Sequence, residues 1–333
     1  MKIELKNIAM IKEASVNING LTVIAGENDT GKSTLSKALL SIFTSITPFI
    51  SFSKDKKFDI DINKRYKILF KEDFDNNQYI SLTTDFGKYI AKKSIAFKEL
   101  YDGDIKDSEI TNISFIETPI VWNLEEMFNY MPQIETSLRM SREDMEIPYP
   151  FILKNLHFQL YTKLKEKTSL DIIKLKDSIK DIINGEFIKD KTDDKFYFHR
   201  EDKKIHLINV ATGIKYFGII QVLLDNNRVY KNSILIFDEP EVHLHPKWQL
   251  EMAQIIVKLV KSGVKVLVNS HSPYMIEALK RYSDKENLDD KSNFYLAQDG
   301  VIENRDRLSD IFSILSQPFE TFREMDREAL KDE

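Results

Sequence analysis

One stretch constrains this chain more than any other: Gly26-Glu27-Asn28-Asp29-Thr30-Gly31-Lys32-Ser33, which fits G-x-x-x-x-G-K-[ST]. It follows Leu21-Thr22-Val23-Ile24-Ala25, a nearly all-apolar run of the kind found in strands buried on both faces. It leads into a segment whose apolar residues, Leu35, Ala38, Leu39, Ile42, Phe43 and Ile46, recur at spacings of three and four. That period predicts a helix, and Pro48 is expected to stop it. Strand, glycine turn and helix in this order make an anion cradle. The glycines let backbone N–H groups crowd against phosphate oxygens, and the helix N-terminus adds partial positive charge. Lys32 is spaced to reach β- and γ-phosphates, and the Ser33 hydroxyl to ligate Mg²⁺.

A second run, Ile234-Leu235-Ile236-Phe237-Asp238-Glu239, is an apolar strand ending in two carboxylates. Beside a phosphate loop, such a strand delivers Asp238 to a magnesium shell and puts Glu239 where it can polarise an attacking water. On its own it reads equally well as a strand ending in solvated acids. Asn209-Val210-Ala211-Thr212-Gly213-Ile214-Lys215 precedes a helical pattern, and a small hydroxyl followed by glycine there is either an ordinary cap or an anion-binding element. Val268-Asn269-Ser270-His271-Ser272-Pro273 is a strand end presenting one histidine. A lone histidine is more often structural, but this one follows the Asp238 strand by one helix and one strand, where a γ-phosphate sensor belongs.

The remainder organises around these segments. Short strands are expected at Ile3–Leu5, Ser15–Ile18 and Ile205–Val210, hairpins at Tyr66–Phe70 and Tyr79–Leu82, and helix over Phe151–Ile183. Helices follow at Ile214–Leu224 and Trp248–Leu259, the latter capped by Gly263, then a strand at Val264–Val268. A hairpin around Asp299-Gly300 and a final helix from Phe319 to Leu330 complete the pattern. Alternation of strand and helix predicts an α/β fold with a mostly parallel sheet flanked by helices, a β-rich N-terminal part and a helical insertion. The expected division is 1–48 and 205–333 for the two parts of one core, with 49–204 inserted between them. Prolines at 119, 132, 148 and 150 punctuate that insertion, and it holds no repeat and no long coiled coil.

Composition removes several chemistries. There is no cysteine, which excludes disulfides, thiol nucleophiles and Cys-ligated zinc. A net charge of −5 gives no bulk attraction to nucleic acid, although 48 Lys and Arg leave a local basic face, and nucleic acid as a partner, open. No apolar run approaches the roughly 18 residues that span a bilayer, and the N-terminus carries no signal-peptide core, so a cytoplasmic protein without a membrane partner is expected.

Taken in order, the segments resemble the ABC ATPase superfamily. The likeness is to its non-transporter branch: the structural-maintenance-of-chromosomes and DNA-repair ATPases, and the ATPase domains of overcoming-lysogenisation-defect nucleases. The run Asp238-Glu239-Pro240-Glu241-Val242-His243-Leu244-His245-Pro246, with Gln249 behind it and Asn269-Ser270-His271-Ser272-Pro273 after it, carries the resemblance. It covers about the first 45 residues and about 205–330. It implies a P-loop fold of ABC-head architecture, with Gly26, Glu27, Asn28, Asp29, Thr30, Gly31, Lys32, Ser33 and Thr34 binding ATP. Asp238 joins Ser33 at Mg²⁺, Glu239 is the catalytic base, and His271 is the switch histidine. Thr212, Gly213 and Lys215 form a signature that touches the γ-phosphate of the other subunit, so a head-to-tail homodimer or higher homo-oligomer is expected. The metal-linking glutamine has two stand-ins, Gln78 and the Phe115–Pro119 segment. His243 and His245 read as loop residues rather than metal ligands. The stretch of about 60 residues after His271 is short for a further domain. The expected activity is therefore a slow ATPase that gates a separately encoded nuclease or toxin, as compact bacterial relatives do in anti-phage defence. Direct action on DNA, and an ATP-locked scaffold with negligible turnover, are the alternatives.

Overall fold

The computed structural model describes residues 1–50, 62–84, 87–92, 95–100, 112–130, 150–165, 170–304, 308–315 and the single positions 323, 325 and 327. The chain opens with β1 (Lys2–Ile8) and β2 (Ile11–Asn17), antiparallel, with Ile3 opposite Val16 and Leu5 opposite Ala14. Then come β3 (Leu21–Ala25), the phosphate-loop segment and helix α1 (Lys32–Ile50). The helix runs through Pro48 rather than stopping there. A proline so near the C-terminus forfeits one backbone bond with little left to disrupt.

Residues 62–70 form α2 (Ile62–Phe70), not the expected hairpin strand. Five residues are too few to separate the two periods, and Tyr66 and Phe70, four apart, stack at 4.4 Å on one helical face. Strands β4 (Tyr79–Thr84), β5 (Gly87–Lys92) and β6 (Ile95–Leu100) extend the sheet from β1 as an antiparallel wing. β7 (Ile113–Ile116) lies at the opposite edge of the same sheet, parallel to the Asp238 strand. Strands from 49–204 thus build both margins of the main sheet.

The stretch 151–183 divides into α3 (Phe151–Tyr161) and α4 (Leu170–Ile183). The break is fixed by Arg228, which donates to the Thr162 carbonyl at 3.1 Å. A separate three-stranded sheet follows: β8 (Glu186–Lys189), β9 (Phe196–Arg200) and β10 (Lys203–His206). The strand expected over Ile205–Val210 ends at His206, whose Nδ1 accepts from the Ile208 N–H and turns the chain into a 3-10 turn at Leu207–Asn209. The small sheet is keyed to α5 (Thr212–Asp225) by the buried Gln221, which exchanges hydrogen bonds with both backbone groups of Phe187.

The alternation then holds: β11 (Ile234–Asp238), α6 (Pro246–Lys261), β12 (Lys265–Ser270), α7 (Pro273–Lys285), β13 (Ser292–Gln298), β14 (Val301–Asn304) and α8 (Leu308–Leu315). Gly263, at φ 87°, ends α6 as expected, and Asp299 and Gly300, at φ 51° and 81°, make the tight turn between β13 and β14. The final helix expected from Phe319 lies almost wholly outside the described residues. The main sheet has the order β6-β5-β4-β1-β2-β14-β13-β3-β12-β11-β7, with β13, β3, β12, β11 and β7 parallel to one another.

Central strands feed two cores by alternation. Leu235, Phe237, Val266 and Val268 face α5, α6 and α7, while Ile234, Ile236 and Leu267 face α1. Each such side chain contributes about 1.5–3 kcal/mol on burial. The carboxylate strand and the strand feeding the phosphate loop thus end one strand apart, with β12 between them, in the part of the sheet covered on both faces. No helix among the described residues is long and apolar enough to cross a membrane.

Candidate active site

The loop after β3 is shaped by crowding. A Cβ on Gly26 would stand 2.5 Å from the Ala297 carbonyl oxygen and 2.8 Å from Thr30 Oγ1, and Gly31 has φ 95°. Both positions therefore require glycine. Asp29, with φ 64°, adds a second left-handed residue, so the backbone wraps into a cradle before Leu35 N–H bonds the Gly31 carbonyl and starts α1. Glu27, Asn28 and Asp29 are exposed at the rim, and Thr30 Oγ1 ties the loop by donating to the Glu27 carbonyl at 2.8 Å. Thr34 follows Ser33 in the first turn of α1, half-buried.

Lys32 is 4% exposed, and its Nζ donates to the carbonyls of Gly26 (2.9 Å) and Glu27 (2.6 Å), 3.7 Å from Glu239 Oε1. Burial pushes its ammonium below the ordinary lysine range, and the nearby charges of Glu239, Asp238 and Glu241 oppose that shift. Ser33 Oγ donates to Asp238 Oδ1 at 3.0 Å. The Asp238 oxygen also accepts from Asn269 Nδ2 at 2.7 Å, and Asn269 reaches Ser36 Oγ at 2.8 Å. Burial raises the Asp238 carboxyl above its usual value, while the bonds from Asn269 and Ser33 favour the charged form.

Glu239 sits at φ 49°, a left-handed conformation rare for a glutamate, and its N–H is pinned to the Asn269 carbonyl at 2.9 Å. That turn lifts its side chain from the sheet edge to a position 30% exposed. His271 Nδ1 lies 3.3 Å from Glu239 Oε1 and 3.5 Å from Glu241 Oε1. Lys32, Ser33, Asp238, Glu239 and His271, drawn from three separate segments, thus come together.

The stand-ins for the metal-linking glutamine part company. Gln78 sits before β4 on the antiparallel wing, where its Oε1 accepts from the Asp75 N–H. The β7–β11 register pairs Ile116 with Phe237, which brings Glu117 level with Asp238. Burial raises the Glu117 carboxyl, Lys37 lowers it, and the charge of Asp238 raises it again.

The Thr212 segment behaves differently. Thr212 is exposed at the start of α5, and Gly213 packs so that a Cβ would lie 3.1 Å from both the His243 carbonyl oxygen and the Trp248 ring. Lys215 is buried, its Nζ donating to Asn123 Oδ1 at 2.8 Å while its carbonyl accepts from Trp122 Nε1 at 3.1 Å. Its side chain therefore braces the 3-10 turn at Pro119–Leu124 instead of facing outward, and burial pushes its ammonium down. His243 is exposed, and His245 caps α6 by accepting from the Lys247 N–H.

Sequence reasoning gave no role to Asn269, Ser36 or Glu241. Glu241 and Asn269 lie in the runs Asp238–Pro246 and Val268–Pro273, and the cue for Asn269 is its registry opposite Asp238. Ser36 carries only its position one helical turn beyond Ser33.

A phosphate loop feeding a helix, one strand removed from a parallel strand that ends in two acids, defines a P-loop nucleotide-binding domain. The chain belongs to the family described as "AAA domain, putative AbiEii toxin, Type IV TA system", which matches residues 21–277. It is similar to the Septu protein PtuA of Bacillus thuringiensis, at 21% identity over 314 residues, covering 83% of this chain and 72% of that protein. Among solved structures, the Smc head domain of Pyrococcus furiosus, with an extended coiled coil and bound to the C-terminal domain of ScpA, aligns with a TM-score of 0.44 at 12% identity, over 95% of this chain and 98% of that one. The ADP conformation of an ATP-binding cassette of an ABC transporter aligns with a TM-score of 0.41 at 15% identity, over 96% of each chain.

Proposed function

We propose that this protein binds ATP with Mg²⁺ and hydrolyses it slowly, as a head-to-tail homodimer or higher homo-oligomer. The observation that carries the reading is the convergence of Lys32, Ser33, Asp238, Glu239 and His271 at the ends of the parallel strands. Glu239 takes a proton from the attacking water as its oxygen bonds to the γ-phosphorus and the bond to the departing ADP oxygen breaks. Lys32 neutralises charge on the β- and γ-phosphate oxygens, and His271 orients the γ-phosphate. Hydroxyl and carboxylate oxygens at Ser33 and Asp238, with Glu117 alongside, are the hard donors magnesium prefers, and these residues would hold it. When bound, the ion neutralises phosphate charge and aligns the β- and γ-oxygens.

Each site then combines the phosphate loop of one protomer with the α5 N-terminus of the other. The exposed Thr212 and the close-packed Gly213 suit that role. Lys215 supports it from inside, through Trp122 and Asn123. Likeness to the Septu protein PtuA, and a family description that names a toxin–antitoxin system, support a part in anti-phage defence in which ATP turnover gates a separately encoded effector.

The test measures assembly mass and ATP turnover for wild type and Glu239→Gln, with and without ATP and Mg²⁺. We expect turnover to fall by about 100-fold or more in the variant, with an ATP-bound dimer or larger assembly accumulating. Normal hydrolysis by the variant, with mass indifferent to ATP, would overturn both base and dimer. Tight DNA binding that weakens steeply with salt would favour direct action on DNA over effector gating.

A further inference from the structure

The reaction above makes no use of Glu241, an acid only 4% exposed. Three donors converge on its Oε1: Ser270 Oγ at 2.7 Å, His271 N–H at 2.9 Å and Ser272 N–H at 3.1 Å. Its Oε2 is buried with no hydrogen-bond partner among the described residues. Half of this carboxylate is thus fully engaged and half is buried without a protein donor among the described residues, an arrangement that costs stability. A neutral side chain of the same shape would avoid the cost of burying a charge. What the charge provides is short, directional bonds to two successive backbone N–H groups, those of the histidine and the residue after it.

A second brace runs alongside. Gln249, on α6, donates to the carbonyls of Leu244 (3.2 Å) and Glu241 (3.5 Å), and accepts from Ser272 Oγ at 3.3 Å. The loop 240–245 and the loop 270–272 are therefore joined twice. The outer side of the first loop is open, with Val242 55% exposed and His243 exposed beside it. Its inner end is the left-handed Glu239, and the His271 ring lies between the two carboxylates.

We propose that Glu241 is a positioning residue: it makes the loop after β11 and the His271 loop move as one body. A push on the exposed Val242–His243 tip then resets His271 and Glu239 together, and with them the rate of turnover. The proposal rests on the ATPase reading, but its geometry can be tested apart from it. Glu241→Gln keeps the shape and removes the charge.

The experiment compares wild type and Glu241→Gln by ATP kinetics, melting temperature and the imidazole NMR signals of His271, assigned with His271→Asn, in nucleotide-free protein. We expect kcat to drop about tenfold or more, the KM for ATP to change by less than about twofold, and melting to be unchanged or higher. The His271 signals should shift without any nucleotide present. Ser270→Ala, which deletes one of the three donors, should give a smaller effect in the same direction. An unmoved His271 signal overturns the proposal whether or not the wild type hydrolyses ATP. So does a kcat within about twofold of wild type, or a rise in KM that matches the loss of kcat. Wild type without turnover, but with a His271 signal that responds to Glu241→Gln, overturns the ATPase reading and leaves the positioning role standing.

Discussion

At Gly26 a single methyl group decides whether the cradle can form. A Cβ there would meet the Ala297 carbonyl oxygen and Thr30 Oγ1 at once, and neither can retreat: one is backbone, and the other is tied to Glu27. Gly26→Ala should weaken ATP binding by about tenfold or more while lowering stability by about 1 kcal/mol, read from nucleotide titration and urea unfolding. Residues like this were legible in the sequence because the loop is contiguous. Gly26, Gly31, Lys32 and Ser33 meet through local chain geometry, so their spacing alone declares the chemistry. Asn269, Ser36 and Glu241 reach the same site by strand register and loop packing between distant segments, which no local pattern encodes. Lys215 shows another limit of local pattern. Its spacing fits the signature segment, and only tertiary packing shows that its ammonium turns inward to Asn123.

Elements were legible where burial imposes a clear period. β3, β11, β12, α5 and α6 lie where the apolar pattern put them, because both faces of those strands and one face of those helices are covered. α2 was misread because a five-residue alternation fits either period. α3 shows what an element can hide. His157 is buried in it, stacked on Tyr161 at 4.4 Å and beside Phe128, and burial first, then the charge of Lys189, pulls its imidazole down to about 4. A histidine held below its ordinary value near 6.5 binds fewer protons folded than unfolded across that gap. Its contribution is complete above the upper value and is lost as pH falls toward the lower one. His157→Phe should flatten that loss, with a stability difference on the order of 2 kcal/mol emerging between neutral and acid pH in urea titrations. Glu125, whose carboxyl burial raises nearby, is common to both proteins and cancels in the comparison.

For the whole molecule, the separation of the phosphate loop from the exposed Thr212 makes a prediction about mixtures. Lys32→Ala damages one half of a composite site and Thr212→Arg the other, so each variant alone should be nearly inactive. Mixed, they form some dimers in which an intact loop faces an intact α5 N-terminus, and turnover should reappear. An ATPase assay on the mixture against each variant checks this, and no recovery at any ratio would mean that each protomer works alone.

The placing of β13 and β14 between β2 and β3 has a consequence for how the protein comes into being. The first strands emerge from the ribosome early, but the gap in their sheet stays open until residues 292–304 have been synthesised. Only then does Ala297 come to stand against Gly26 and Val301 beside Glu13. Pairings so remote along the chain form late and slowly. A nascent polypeptide therefore carries the whole phosphate-loop sequence before its sheet is closed, and the cradle gains its Ala297 wall only once residues 292–304 have been made.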